Sequence, residues 1–429
     1  MALIDAGGKP VRTRYAIPSM FRRFGLLALV FAAACSSSEN RASSGGPPGP
    51  DSGPIDPGTD GGTTDNPDVD AGEEGGISVA SGKLTVLSLN LHCLKTQGTA
   101  YPTNEARLEA IAKAAADENV DVILAQEVCT SKTTQQDARA MLTAALDKAT
   151  NATWSSVAAL AHDAWVGTPD EASEHVAIFS KHKLSQATEN AHRAQSALRR
   201  ITLGATVAAP LVTAQGATLP VRMYTVHLDH MDANARAMQA REVAGFALLE
   251  ADEMVKIDAT DGGVLLPILV AGDFNAQSGA EAPKAMLDYG FVEASGSATT
   301  TRIDHVFLHR SAFLSPTDTK ILFEGAGAVS DHPGVLVRLT AAPAKTSRLT
   351  RIKAEGTFAN PLTIRGDKAP LSWEKGWPAY VRAGGSVFVT SELPAGSFAY
   401  KFLQNDTIWA TGANVNGTGQ TDNSSKPSF

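Results

Sequence analysis

The sequence predicts an α/β fold for the central part of the chain and a small all-β domain at its C-terminus. Between residues 83 and 340, apolar runs with the length and β-branched content of buried strands alternate with segments whose apolar residues recur every three or four positions. Residues 348–429 contain short strand-like runs between turn residues and no helical pattern. The length of 429 residues leaves room for both domains and for further segments.

Residues 1–34 have the pattern of an export signal. Basic residues follow Met20, residues 24–34 are apolar, and small residues precede Cys35. The pattern resembles a bacterial lipoprotein signal, with Met20 as the start and Cys35 as the lipidated residue. The alternative is plain secretion with cleavage nearby. We therefore expect an exported protein that is lipid-anchored at the bacterial outer membrane or cell surface, or else is secreted.

Residues 35–82 are rich in Ser, Gly, Pro and Asp and contain almost no apolar residues. Such a segment cannot bury a core, so we expect a disordered tether. It also carries much of the negative charge of a chain whose formal net charge is −8. No part of the composition indicates a basic face, which disfavours a tight nucleic-acid binder.

The elements of the central domain can be predicted in order from apolar periodicity. The predicted strands are 84–91, 120–128, 154–161, 176–180, 201–207, 221–228, 265–271, 302–308 and 334–339, and the predicted helices are 105–118, 134–149 and 235–256.

The strand predicted at 265–271 ends in Gly272, Asp273, Phe274 and Asn275. Glycine permits a tight turn, after which a carboxylate and an amide follow at the end of a rigid strand. Groups in such a place can contact a phosphate, a metal or a water molecule. A turn with a capping aspartate is the alternative.

Other predicted strands also end in polar residues. The first ends at Asn90, and the strand 120–128 carries Glu127. A carboxylate in so apolar a run is costly unless it is compensated, either by a hard cation such as Mg²⁺ or by a structural salt bridge. His227 and Asp229 end a third strand. A lone histidine there is more often structural.

Cys93 and Cys129 each follow a predicted strand end. Because an exported chain can oxidise its thiols, we predict that these two cysteines pair. The alternative is two buried thiols.

Taken together, these motifs resemble the endonuclease/exonuclease/phosphatase superfamily, which includes deoxyribonuclease I, abasic-site endonucleases, neutral sphingomyelinases and inositol-polyphosphate 5-phosphatases. The resemblance covers residues 83–340 and rests on the order and spacing of several pieces. These pieces are LNLH, QEV, HVAIFS, VHLD, GDFN, RIDHVFL and SDHPGV. The resemblance implies a four-layer sandwich of two packed β-sheets flanked by helices, and hydrolysis of phosphoesters that depends on a divalent metal, Mg²⁺ or else Mn²⁺ or Ca²⁺.

The resemblance also implies roles for individual residues. Glu127 would be the principal metal ligand, with Asn90 beside it and Asp331 near the metal. Asp304 would fix the tautomer of His332 and support its charge. The remaining implied roles are orientation of water and phosphate binding for Asp273 and Asn275, and transition-state stabilisation or leaving-group protonation for His227. Whether Asp273 or His332 is the base, and whether one or two metals bind, stays open.

Substrate contacts are less defined. Arg200 could meet a phosphate from the neighbouring strand, although a pair of arginines is more often a solvated surface. We also assign Asp229 to substrate binding. If Asn90 and Glu127 share a metal, a disulfide between Cys93 and Cys129 would clamp two loops beside the site.

Residues 341–347 read as a linker to a small β-sandwich at 348–429. This domain contains Trp373, Trp377 and Trp409 and resembles starch-binding-type carbohydrate modules, whose rings stack on sugars. The alternative is that these tryptophans fill the core.

The sequence as a whole predicts an exported, lipid-anchored, metal-dependent phosphodiesterase, most simply a monomeric nuclease, that touches the membrane only through its anchor. The alternatives are a sphingomyelinase-like or phospholipase C-like lipid phosphodiesterase and a surface carbohydrate-binding protein with an inactive enzyme domain. A polysaccharide is the expected partner of the C-terminal domain.

Overall fold

The computed structural model describes residues 79–213, 216–257, 265–296, 302–311, 313–342 and 348–429. The predicted signal segment, Cys35, nearly all of the predicted tether and most of the predicted linker at 341–347 lie outside these residues. Within these ranges, no helix is both long enough and apolar enough to cross a membrane.

The central domain is built from helices and strands that run as follows. In chain order they are β1 (Val79–Asn90), α1 (Asn104–Asp117), β2 (Val122–Ser131), α2 (Ala138–Thr150), β3 (Ser155–Ala164), β4 (Ala172–Ser180), β5 (Leu184–Ala191), β6 (Ile201–Val207), β7 (Leu211–Thr213), β8 (Val221–His227), α3 (Ala233–Ile257), β9 (Ile268–Asp273), α4 (Glu281–Asp288), β10 (Phe291–Glu293), β11 (Asp304–His309), β12 (Leu314–Leu322) and β13 (Gly334–Ala341).

These strands form two sheets. One has the order β12-β13-β1-β2-β4-β3, with β7 also paired to β1, and the other has the order β10-β11-β9-β8-β6-β5. β1 runs parallel to β2 and places Asn90 opposite Gln126. β8 runs parallel to β9 and places His227 opposite Asp273. Parallel neighbours end at the same edge of a sheet, so these polar strand ends are brought together.

Successive side chains along each strand point to opposite faces of the sheet, and this alternation produces the four layers. On β1, Val86 packs into the core between the sheets, whereas Leu87 faces the cluster that contains Ile111 of α1 and Leu142 of α2. On β9, Leu269 likewise faces the other sheet, while its neighbour Val270 packs with residues of α3 and α4. The predicted sandwich of two sheets with helices outside is therefore confirmed.

The C-terminal β domain (residues 348–429) packs directly onto α3 and α4. Its strands are β14 (Thr350–Glu355), β15 (Leu362–Gly366), β16 (Trp377–Arg382), β17 (Gly385–Thr390), β18 (Gly396–Gln404), β19 (Ile408–Trp409), β20 (Val415–Gly419) and β21 (Asp422–Ser425). Tyr289, the C-cap residue of α4, packs its ring against Trp377 at a centroid distance of 4.6 Å and donates a hydrogen bond to the Val389 carbonyl. Tyr380 donates to the Glu242 carbonyl on α3. The domain thus shares a hydrophobic core with the helices.

Some element boundaries differ from the sequence-based ones. The helix predicted from residue 134 begins at Ala138, because the Asp137 side chain accepts hydrogen bonds from the Arg139 and Ala140 amides and caps it there. β5 was not predicted, since this edge strand carries mostly polar, exposed side chains. The short helix α4 was also missed.

Candidate active site

The polar strand ends meet where β8 and β9 finish. Gly272 has φ +149°, and a Cβ there would lie 2.0 Å from the Val226 carbonyl oxygen, so only glycine lets the two strands approach. The next residue, Asp273, lies opposite His227. Its Oδ1 accepts a hydrogen bond of 2.8 Å from the Asn275 amide, which fixes the carboxylate. Asn275 has φ +49°, a backbone state that non-glycine residues keep mainly where their surroundings enforce it.

Asn90 connects the two sheets at this point. Its Nδ2 donates to Glu127 Oε1 at 3.0 Å and to Asp273 Oδ2 at 3.2 Å. Its Oδ1 accepts from the His92 amide at 2.9 Å. Both ends of the side chain thus have protein partners, and this geometry supports a role in holding the two carboxylates in place. Oδ1 keeps a second lone pair, so metal ligation by Asn90 stays a prediction.

His332 and Asp304 form the expected pair. The distance from His332 Nδ1 to Asp304 Oδ2 is 2.8 Å, and His332 Nε2 lies 3.9 Å from Asp273 Oδ2. Burial disfavours the imidazolium, but the hydrogen bond and charge of Asp304, together with the charges of Asp273 and Asp331, outweigh burial and raise the pKa of His332 to about 10. His332 is therefore a cation at neutral pH.

His227, unlike His332, is neutral at neutral pH. Its Nε2 lies 3.5 Å from Asp273 Oδ2. Burial, reinforced by the nearby charge of Arg200, lowers the pKa of His227 to about 4. Burial also raises the pKa of Asp273. A buried carboxylate flanked by one charged and one neutral imidazole is an arrangement suited to acid–base chemistry.

Glu174 on β4 belongs to the site and was missed from the sequence. It is 5% exposed, and its carboxylate lies 3.3 Å from His227 Nδ1 and 3.4 Å from both Arg200 Nη1 and His162 Nε2. A charged residue ahead of an apolar strand is usually exposed, so the sequence pattern held no signal for it.

The two predicted substrate contacts are engaged by the protein. The Asp229 carboxylate accepts hydrogen bonds from the Ser196, Met231 and Asp232 amides and so shapes its own loop; its contact with a substrate stays a prediction. Burial opposes this charge, but a hydrogen bond from the Ser196 hydroxyl and those from the three amides lower the pKa of Asp229 to about 2. Arg200 is 2% exposed and contacts Glu174 and His230 Nδ1, the latter at 3.1 Å. It lies beside His227 as a fixed cation.

The residues present fit a divalent cation. Glu127 is only partly buried and has φ +50°, and the half-exposed Asp331 carboxylate lies 3.6 Å from His92 Nε2. The carboxylates that line the site are Glu127, Glu174, Asp273, Asp304 and Asp331. They outnumber the cations beside them, Arg200 and His332. Hard carboxylate oxygens in excess of positive charge are the donors that Mg²⁺, Mn²⁺ and Ca²⁺ take.

Cys93 and Cys129 are joined by a disulfide bond beside these groups. Both residues are fully buried, and the Cys93 amide donates to the Glu127 carbonyl at 3.1 Å. The bond therefore ties the turn after β1 to the strand that carries Glu127.

Comparison with known proteins agrees with this geometry. The pattern of the Endonuclease/Exonuclease/phosphatase family matches residues 87–332, which is more than half of the chain. No curated protein matches the chain.

Several solved structures are similar in fold. A family protein from Leptotrichia buccalis has a TM-score of 0.44 and 16% identity, covering 60% of this chain and 99% of its own. A mannosyl-6-phosphatase from Bacteroides thetaiotaomicron has a TM-score of 0.42 and 19% identity, with coverages of 60% and 99%. A family protein from Beutenbergia cavernae has a TM-score of 0.47 and 17% identity, with coverages of 79% and 100%. On the family match, the chain is a phosphoester hydrolase that belongs to the endonuclease/exonuclease/phosphatase family.

Proposed function

We propose that this protein is a divalent-metal-dependent phosphodiesterase that acts as a nuclease. The observation that carries the proposal is the cluster of Glu127, Asn90, Asp273 and the His332–Asp304 pair at one edge of the two sheets. A bound divalent cation would neutralise charge on a phosphate oxygen and lower the pKa of a water molecule. Glu127 and Asp331 would hold it, as the donors on the open side of the cluster.

The protein groups divide the remaining work. Asp273, buried and held by Asn275 and Asn90, orients a water molecule and accepts its proton. His332 keeps its positive charge through Asp304 and stabilises the negative charge that grows on the phosphate oxygens. His227 is neutral and lies 3.5 Å from Asp273 Oδ2, where it can hydrogen-bond the departing oxygen.

The charge balance favours a diester over a monoester. A phosphodiester carries one negative charge, whereas a phosphomonoester carries about two near neutral pH. Among the described groups around the site, the cations Arg200 and His332 face five carboxylates, and the two charges of a bound divalent cation would not reverse that balance. A dianion would meet more repulsion here, so the singly charged ester is the better fit.

The test measures hydrolysis by the full chain in the presence of Mg²⁺. The substrates are plasmid DNA, RNA, sphingomyelin vesicles, bis-p-nitrophenyl phosphate and p-nitrophenyl phosphate. We expect diester cleavage, with DNA or RNA preferred, and loss of turnover in His332→Gln. The matched control is His182→Gln, since His182 also pairs with an aspartate, Asp121, at 3.0 Å, but next to the opposite end of β2. Preference for sphingomyelin would favour the lipid phosphodiesterase, and preference for the monoester would contradict the proposal.

We also propose that the chain is exported and lipidated at Cys35, on the strength of the sequence before that cysteine. Metabolic labelling with radioactive palmitate in a Gram-negative host tests this. Label should enter the wild-type protein and not Cys35→Ser. Unlabelled protein in the culture medium would favour plain secretion.

A second candidate function, carbohydrate binding, is favoured by one pair of rings. Trp409 is 41% exposed, and its ring lies 6.2 Å from that of the partly exposed Trp373. Trp377, by contrast, is 3% exposed and belongs to the core. Retardation in a gel that contains soluble starch should be lost in Trp409→Ala and kept in Trp165→Ala, a control with a tryptophan that is 38% exposed in the central domain. Sugar binding through Trp409 would be refuted if the wild type, Trp409→Ala and Trp165→Ala all migrated equally in the starch gel.

A further inference from the structure

A buried arginine on α1 contacts both chain segments that approach the proposed metal site from the first sheet. Arg107 is fully buried, and its guanidinium donates to the carbonyl groups of Leu91, Cys93 and Val329. The distances are 2.7 Å to Cys93 and 3.1 Å to Val329. Its Nη2 also donates to Asn104 Oδ1 at 3.1 Å, which orients the planar fork.

These carbonyls flank functional residues. Leu91 and Cys93 stand on either side of His92, and both His92 and Cys93 have positive φ, at 49° and 50°. Two consecutive non-glycine residues hold that backbone state only when their surroundings impose it. Val329 precedes Ser330, Asp331 and His332 on the loop before β13. One guanidinium therefore binds the turn that carries His92 and the loop that carries Asp331.

We propose that Arg107 is a positioning residue for the metal site: its fork sets the separation between the His92 turn and the Asp331 loop, and through the loop the place of His332. The inference rests on the proposed function, because it assumes that Asp331 helps to hold the cation. A planar fork with several donors can bind carbonyls of two segments at once, whereas a lysine ammonium on a flexible stem cannot reproduce that geometry. Supporting groups of this kind typically change metal affinity by about 10- to 100-fold.

Arg107 is also a buried cation under an acidic site. Burial lowers the pKa of Arg107 to about 10, and the charge of Asp331 opposes that decrease, so the guanidinium stays protonated at neutral pH.

The chain offers a matched control in Arg222. It is equally buried, on β8 at the end remote from His227, and it donates to Glu250 at 2.6 Å and to the Gln186 carbonyl at 2.6 Å. Lysine at either position replaces a buried planar guanidinium by an ammonium group and keeps the positive charge. Both variants should therefore lose stability, but only the one at Arg107 should alter the metal site.

The experiment is Mn²⁺ binding to the EDTA-treated full chain, followed by calorimetry and by the electron paramagnetic resonance signal of free Mn²⁺, without substrate. We expect Arg107→Lys to bind Mn²⁺ about 10- to 100-fold more weakly than wild type, and Arg222→Lys to bind it normally. Asn104→Ala keeps the guanidinium but removes the Oδ1 that orients it, together with the Nδ2 contacts to the Leu94 carbonyl and to Gln136 Oε1. It should weaken binding less and serves if Arg107→Lys does not fold.

The readout separates this inference from the proposed function. Wild-type protein that binds Mn²⁺ and cleaves no diester would contradict the function, and weaker binding by Arg107→Lys would still support the inference. Normal Mn²⁺ affinity in Arg107→Lys, an equal loss in Arg222→Lys, or no Mn²⁺ binding by the wild type would overturn the inference.

Discussion

Replacing Asp304 by asparagine tests how the charge of His332 is maintained. The pair is joined at 2.8 Å, and the pKa of His332 is raised from 6.5 to about 10. That rise corresponds to about 5 kcal/mol in favour of the imidazolium. Burial acts in the opposite direction, so the carboxylates supply more than this difference. Asparagine keeps the shape of Asp304 and removes its charge, so we expect the pKa of His332 to fall to its ordinary value or below.

The assay is ¹⁵N-detected imidazole NMR of EDTA-treated protein over a pH series, with His332 assigned from its absence in His332→Gln. Wild-type His332 should stay doubly protonated to above pH 9, whereas in Asp304→Asn it should be neutral at pH 7.5. The kcat for the diester should fall about 1,000-fold, within the range for a lost group that stabilises charge in the transition state. Asp121→Asn, beside His182 at 3.0 Å, is the control and should leave kcat unchanged. Titration of wild-type His332 near 6.5 would refute the reasoning.

Three further predictions follow from the same geometry. Glu174→Gln should lower kcat about 100-fold with little change in KM, because the charge of the Glu174 carboxylate lies 3.3 Å from His227 Nδ1; an unchanged kcat in steady-state assays would exclude a role for that charge. Replacing both Cys93 and Cys129 by serine should lower the free energy of unfolding, measured in urea, by about 4 kcal/mol, which is the chain-entropy value for a separation of 36 residues. The affinity for the metal should also fall. Burial lowers the pKa of His309 to about 3, so the unfolded chain takes up a proton below pH 6.5 and the folded chain does not. Stability is thus lost as pH falls, by about 2 kcal/mol between pH 7 and pH 5, and His309→Gln should lose that much less over the same interval in urea titrations.

The parts of the site that the sequence predicted share one physical cause. Asn90, Glu127, His227 and Asp273 each stand at or near the end of an apolar strand, and parallel pairing brings such ends to one edge. Apolar runs and their polar ends are local features, so they can be read along the chain.

Other parts depend on contacts between distant segments. Glu174 is functional only because β4 lies near His227 and Arg200. The hydrogen bond that Asp229 accepts from the Ser196 amide could not be read from the sequence, since the two residues lie 33 positions apart. The same holds for Arg107, whose position on the first turn of an amphipathic helix gives no sign of its three carbonyl partners.

The C-terminal domain shows the same limit. The sequence predicted a small β-sandwich at 348–429 but gave no prediction of what it contacts, and the structure shows that Trp377 and Tyr380 pack against α3 and α4. Glu242 of α3 is 2% exposed and pairs with His192 at 3.0 Å. Because a glutamate on a helix normally faces solvent, no periodicity in the sequence could show that this face is covered.

The central claim is that the cluster of Asn90, Glu127, Asp273 and the His332–Asp304 pair hydrolyses phosphodiesters with the help of a divalent cation. The most direct measurement is turnover of bis-p-nitrophenyl phosphate by the full chain with Mg²⁺ or Mn²⁺ and with EDTA, for the wild type and for Asp273→Asn. We predict turnover that requires the cation and is lost in Asp273→Asn while the fold, followed by circular dichroism, is kept. Turnover that survives EDTA, or that persists in Asp273→Asn, would contradict the account.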